Sequence, residues 1–184
     1  MREFRTQLNQ AWLHDLGVRA FPRRAYTDYK TPLGEDNMWL EPQGYALLIP
    51  EFPNERKHKL FAQVEQRLLA GEPMGARQIE RPTAQSSTPA GARENGGFWY
   101  ALYGPLVLGV ATFSKETAER LLRRMTFAQF ASKFPDYWTG QWSASDSLDS
   151  SLLKTSGLSS NLTWCAHAHA WPLYCYLRLR ERNA

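Results

Sequence analysis

The stretch ENGGFWYALYGPLVLGV, Glu94 to Val110, limits what this chain can become more than any other. A helix that is aromatic and apolar on nearly every face has no side to give to water, so it must be an inner element wrapped by others. Its amino-terminal mouth is polar. Glu94 and Asn95 stand directly before Gly96-Gly97, and glycine there lets another backbone or a ligand approach where a side chain would block it. The stretch predicts an inner helix whose polar end opens into a pocket, reached through a loop rich in Ser, Thr, Pro and Gly.

Two further segments share that all-round apolar character: the run Tyr45 to Ile49, and a last helix beginning near Ala166 and ending in charge at Arg178 to Arg182. Between them lie amphipathic segments. Arg2 to Asp15 places Phe4, Leu8, Ala11 and Trp12 at helical spacing and stops at Gly17. Asn54 to Ala70 carries Leu60, Phe61, Val64, Leu68 and Leu69 on one stripe, with Asn54 as its amino-terminal cap and Gly71 as its carboxyl-terminal one. Ser114 caps a third amphipathic helix, and Phe127 to Phe134 continues the helical pattern. Short irregular strands are expected before Trp39. The segments Glu72 to Arg93 and Ser143 to Ser160 read as a long polar loop and a Ser-rich linker. Inner helices alternating with outer ones predict a mainly α chain, about half of an (α/α)6 toroid, within one domain spanning 1–184. At 184 residues and 43% hydrophobic content, nothing forces a second core.

The charge balance narrows the function classes. A net charge of +4 is spread over short groups such as Arg23-Arg24 and Arg123-Arg124, with no basic run interleaved with aromatics, so nucleic acid is not an expected partner. The amino terminus is charged throughout and lacks the apolar core of a signal peptide, and no apolar stretch is long enough to span a bilayer. With only Cys165 and Cys175, there is no disulfide framework; a cytoplasmic setting is expected. His167 and His169 stand two residues apart and so point to different faces of a helix; no metal is expected there.

Candidate site residues cluster at the mouths of the inner elements. Glu41 and Gln43 flank Pro42 just before the run at Tyr45, repeating the layout of Glu94-Asn95. They either face a ligand cavity or cap the helix and satisfy loop amides. Aromatics make up 13% of the chain, including seven Trp, and such a surplus often lines sites for ring-shaped ligands. Asp136, Asp146 and Asp149 are acid/base candidates in the loops, though Asp146 and Asp149 read rather as turn caps in the Ser-rich linker.

The motifs LEPQGYA, ENGGFWYALYGP and TWCAHAHAW, with PLG ahead of the first and TPAG ahead of the second, carry a family resemblance. From about Arg24 to Trp171 the chain resembles the carboxyl-terminal half of the catalytic (α/α)6 barrel of glycoside hydrolase family 94, a six-hairpin glycosidase-like fold. That family contains the cellobiose, cellobionic acid and chitobiose phosphorylases and the phosphorolytic domains of cyclic β-glucan synthases. The resemblance implies phosphorolysis of a β-linked disaccharide or oligosaccharide to a sugar 1-phosphate, with inorganic phosphate as co-substrate and no cofactor. It places Arg93 against the acceptor sugar, Thr88 where the family has a sugar-contacting aromatic, and Gln141 on the donor side.

Three departures accompany it. The family's phosphate-binding histidine falls at Ala101 or Leu102, and its Thr-Gly phosphate pair falls at Ala166-His167. Alanine offers a dianion only its backbone amide. Either His167 and His169 rebuild the anion site from another angle, or this branch does not use phosphate. Third, the family's general acid, in an Asp-Trp-Asn-Asp motif, and its β-sandwich would precede Met1, so the implied partner is the missing amino-terminal half of the barrel. The alternatives are a related hydrolase without the phosphate site, or a non-catalytic half-barrel presenting Trp99, Trp138, Trp142 and Trp164 to a glycan.

Overall fold

Helices account for the architecture. The computed structural model describes residues 2–25, 33–133, 146–153 and 166–181. It consists of α1 (Arg2–Val18), α2 (Leu40–Leu47), α3 (Asn54–Val64), α4 (Tyr100–Val110), α5 (Lys115–Arg123), α6 (Phe127–Lys133) and α7 (Ala166–Glu181). A π turn, Glu65–Leu69, prolongs α3, and a 3-10 turn, Arg93–Asn95, precedes α4. Among the described residues the only β pairing consists of isolated bridges, one of them before Trp39, between Ala25 and Leu33.

The centre is α4, with α2 on one flank and α7 on the other. Glycine sets both approaches. A Cβ at Gly44 of α2 would lie 2.7 Å from the Leu106 nitrogen, and one at Gly109 of α4 would lie 2.6 Å from Leu47 Cβ. Gly44 therefore faces Leu106 while Leu47 faces Gly109, so the two helices run parallel, with α3 carrying the chain back between them. A Cβ at Gly104 would overlap the ring of Trp171 in α7. At about 100° per residue, Gly104 lies roughly 140–200° around the helix from Leu106 and Gly109. Thus α2 and α7 occupy opposite faces of α4, and this is why α4 has no polar face.

The amphipathic helices pack outside this row: α1 and α3 against α2, and α5 against both α4 and α7. Ser114 caps α5 as expected, accepting from the Thr117 amide at 3.4 Å. One hydrophobic cluster runs from Trp12 and Leu16 through Leu47, Phe52, Tyr103, Leu106 and Val107 to Cys175 and Leu179. Where α2 and α4 end, the Thr112 hydroxyl donates to Gly109 O at 2.7 Å and accepts from buried Lys57 Nζ at 3.0 Å. That places a cation where the carbonyl ends of two parallel helices converge.

Several boundaries differ from the expectation. α2 begins at Leu40, so Glu41 and Gln43 lie within its first turn rather than ahead of it; Pro42 is tolerated there because the first turn needs no amide from it. Pro53, not Asn54, caps α3. α1 continues through Gly17 to Val18. α4 begins only at Tyr100, and Phe98 is extended, pairing with Leu148. The segment 146–153 is not a linker: Ser147, Leu148, Asp149 and Ser150 are buried.

Candidate functional site

The amino-terminal ends of α2 and α4 are gathered into one layer by short extended segments. Leu40 N donates to Gln78 O at 2.8 Å, and Gln78 N donates to Gly97 O at 3.0 Å. Glu80 N reaches Met38 O at 2.9 Å, Phe98 and Leu148 exchange both backbone bonds at 2.8 and 3.1 Å, and Ser150 N donates to Gly91 O at 2.7 Å. Backbone groups this deep must be paired, so the loops that precede the inner helices are stitched to one another. Buried Glu72 completes the stitching from below, accepting from Ser151 N at 3.1 Å and from its hydroxyl at 2.6 Å.

The loop from Thr83 to Gly97 is built around Asn95. Its side chain accepts from Thr83 N at 2.7 Å and donates to Thr83 O at 3.1 Å and Thr88 O at 2.8 Å. Buried and fully engaged, Asn95 holds the loop in shape and does not face outward. The glycine pair serves the same turn. Gly96 takes φ +110°, and a Cβ at Gly97 would lie 2.6 Å from Arg93 N and 2.9 Å from Leu148 O. The backbone admitted by these glycines is the chain's own.

Arg93 is the one described non-glycine residue at positive φ, +43°. Its carbonyl accepts from the amides of Gly96 and Gly97, which fixes that conformation, while its side chain is exposed. Beside it, the exposed Glu94 carboxylate accepts from the Thr88 hydroxyl at 2.5 Å. That hydrogen bond, then a backbone one, and last the Arg93 charge hold the Glu94 carboxyl below its ordinary value.

Glu41, in the first turn of α2, is half-exposed and paired with Arg24 at 3.3 Å. The Arg24 guanidinium stacks 4.0 Å over the Trp39 ring. Gln43 is fully buried, with its amide donating to Trp39 O at 2.8 Å and Pro22 O at 3.1 Å, so it ties α2 to the segment after α1, while its Oε1 finds no hydrogen-bond partner among the described residues. On the flank of α2 away from α4, an open groove of about 740 Å³ runs between α1 and α2, lined by Leu8, Trp12, Pro42, Tyr45 and Ile49, with Glu41 at its rim.

The remaining candidates are less gathered. Gln141 lies outside the described residues, as do Trp138, Trp142, Trp164 and Asp136. His167 is in the first turn of α7, its side chain outside the description, and His169 is half-buried two residues on. Thr88, Arg93 and Glu94 thus lie together on the loop ahead of α4, Glu41 stands with Arg24 at the rim of the α1–α2 groove, and Gln43 and Asn95 turn inward. Arg24, Trp39 and Gln78 also shape these mouths without standing in any motif of chemical residues, and Gln78-Ile79-Glu80 inside a breaker-rich loop is the one sequence signal for a short extended segment there.

Among the described residues, no group of three or more His, Cys, Asp and Glu side chains is placed to hold a metal, and no helix is long and apolar enough to cross a membrane. Burial raises the phenols of Tyr100 and Tyr103 and pushes the Cys175 thiol up to about 12, so none of them is an acid, base or nucleophile near neutrality. No family model matches the chain, and no curated protein matches it.

Proposed function

We propose that this chain forms the carboxyl-terminal wall of a β-glycoside-processing (α/α)6 ring of the glycoside phosphorylase kind. The observation that carries the reading is that Thr88, Arg93 and Glu94 form one polar group on the loop ahead of α4, whose start is tied through Gln78 to the start of the parallel inner helix α2. Helix amino termini favour electron-rich ligand atoms. An exposed guanidinium held in a strained conformation beside an ionised carboxylate suits the hydroxyls of a sugar ring, since one donates and the other accepts.

Parallel inner helices joined by a returning outer helix are the repeating unit of such a ring, and α2 and α4, with α3 between them in sequence, match one such unit. The resemblance to glycoside hydrolase family 94 assigns acceptor-sugar contact to this wall. Its general acid is not among these residues, and inverting cleavage needs one to protonate the leaving oxygen. Chemistry therefore requires a carboxylic acid across the lumen. Ala101 and Leu102, which stand where the family has its phosphate histidine, are half-buried in the first turn of α4. If phosphate is used, His167 and His169 are the side chains left to hold it.

Calorimetry with cellobiose, and separately with inorganic phosphate, tests both parts. Wild type is expected to bind the disaccharide, with Arg93→Ala and Glu94→Gln each weakening it at least tenfold; unchanged affinity in both variants overturns the wall. Phosphate affinity lost in His167→Ala supports phosphorolysis. Absent phosphate binding in a chain that still binds the sugar favours the reading without a phosphate site.

A further inference from the structure

Asn95-Gly96 is the chain's one Asn-Gly pair, and it forms the turn of the loop that carries Thr88, Arg93 and Glu94. Asn-Gly is the dipeptide most prone to lose its side-chain amide, because glycine puts no side chain in the way of its own nitrogen. The Gly96 nitrogen, once hydroxide has taken its proton, attacks Asn95 Cγ; Nδ2 leaves as ammonia, and a five-membered imide forms. Water then opens the ring. Breaking the bond to the side-chain carbonyl gives aspartate, and breaking the bond to the backbone carbonyl gives isoaspartate. The net exchange is water in and ammonia out, with no oxidant, reductant or cofactor.

In the closed loop each reacting group is engaged. Asn95 Oδ1 accepts from Thr83 N at 2.7 Å while Nδ2 donates to Thr83 O at 3.1 Å and Thr88 O at 2.8 Å, so the amide plane is held at three points. The Gly96 N–H donates to Arg93 O, which keeps its proton in a hydrogen bond. Asn95 N donates to Ala92 O at 2.9 Å, and Asn95 O accepts from Gly91 N at 2.8 Å. Both residues are buried, away from hydroxide. We propose that Asn95 is a modification site concealed by the fold: it deamidates only from the open form of the Thr83 to Gly97 loop, and the product prevents the loop from closing as before. A carboxylate has no donor, so Thr83 O and Thr88 O lose their bonds from Asn95 and a buried charge faces two carbonyls. Isoaspartate also adds a methylene to the backbone of a turn so tight that a Cβ at Gly97 would lie 2.6 Å from Arg93 N. Opening frees Arg93 from its φ of +43°, and that conformation is not regained once Asn95 has reacted. Opening is therefore reversible before the reaction and one-way after it. The loss of the Thr88, Arg93 and Glu94 group with age follows whether or not that group binds a sugar.

Peptide mass spectrometry on the full chain, incubated at mildly alkaline pH with and without denaturing urea, tests it. The native rate is the unfolded-chain rate multiplied by the open fraction, so Asn95 is expected to deamidate readily in urea and at least about tenfold more slowly in native buffer. Equal rates, or an Asn95 that stays intact in urea, overturn the proposal. Gly97→Ala places a methyl against Arg93 N and Leu148 O but leaves the Asn95-Gly96 pair itself unchanged. It is expected to raise the native rate at least about tenfold and to leave the rate in urea as it was; a native rate equal to that of wild type overturns protection by the turn. Should Gly97→Ala fail to fold by circular dichroism, wild type in urea below its unfolding midpoint replaces it. The rate is then expected to rise before the helical signal falls, and a rise only together with that fall overturns opening of the loop by itself. The one-way step is read by limited trypsin digestion at the Arg93–Glu94 bond. Asn95→Asp, or wild type deamidated in urea and refolded, is expected to be cut there at least about tenfold faster than fresh wild type; equal cleavage overturns that step.

Discussion

Arg93 sits at φ +43°, where an L side chain costs about 1–2 kcal/mol relative to the right-handed region. Substituting glycine removes that strain. Arg93→Gly is therefore expected to stabilise the fold by about 1 kcal/mol in urea unfolding, while abolishing whatever the guanidinium binds; a destabilised variant would show that the side chain holds the loop. Glu94 offers a pH test. Its carboxyl is held below the ordinary 4.5 mainly by the Thr88 hydroxyl, so the stability it lends is present above that value and fades as pH falls through the lowered one. In Thr88→Val the Glu94 titration, followed by carboxyl NMR, is expected to move up toward 4.5. No movement would remove Thr88 as the cause. The sequence singled out Arg93 and Glu94 by their place before Gly96-Gly97, but it could not reveal that Asn95, between them, turns inward. Three consecutive polar residues look alike until the turn that distributes their side chains is known.

At the level of the helix, the glycines of the inner row decide the packing. Gly44→Ala would bring a methyl to 2.7 Å from the Leu106 nitrogen, in backbone that has nowhere to retreat. A loss of about 1–3 kcal/mol is expected from such overpacking, measured as a shift of the denaturant midpoint at unchanged slope. Gly71→Ala is a useful contrast. Nothing lies within 4 Å of its Cβ position, but its φ is +74°, so the cost there is conformational, about 1 kcal/mol. A loss at Gly44 no larger than at Gly71 would contradict the close approach of α2 and α4. The apolar character of α4 was plain from its residues, because no face of Tyr100 to Val110 suits water. Its true start was not. Glu94 to Trp99 continue the composition of the helix, but the pairing of Phe98 with Leu148, fifty residues on, takes their backbone away from it.

For the whole molecule, the apolar row α2, α4, α7 is what the amphipathic helices enclose. By itself the sequence determined the class of fold. Periodicity separates helices that must be enclosed from helices that need one wet face, and this local property made the chain mainly α with an inner row at α4. It also marked the polar mouths, since carboxylates and amides beside glycine and proline interrupt the apolar pattern visibly. Only the tertiary structure decided which neighbours the inner helices chose, which site candidates turned inward, and that 146–153 packs between Glu72 and the Thr83 to Gly97 loop instead of linking two elements. Those outcomes rest on hydrogen bonds between residues tens of positions apart, such as Gln78 to Gly97 and Ser151 to Glu72. A backbone amide carries the same donor whatever its side chain, so composition and spacing hold no record of the partner it finds.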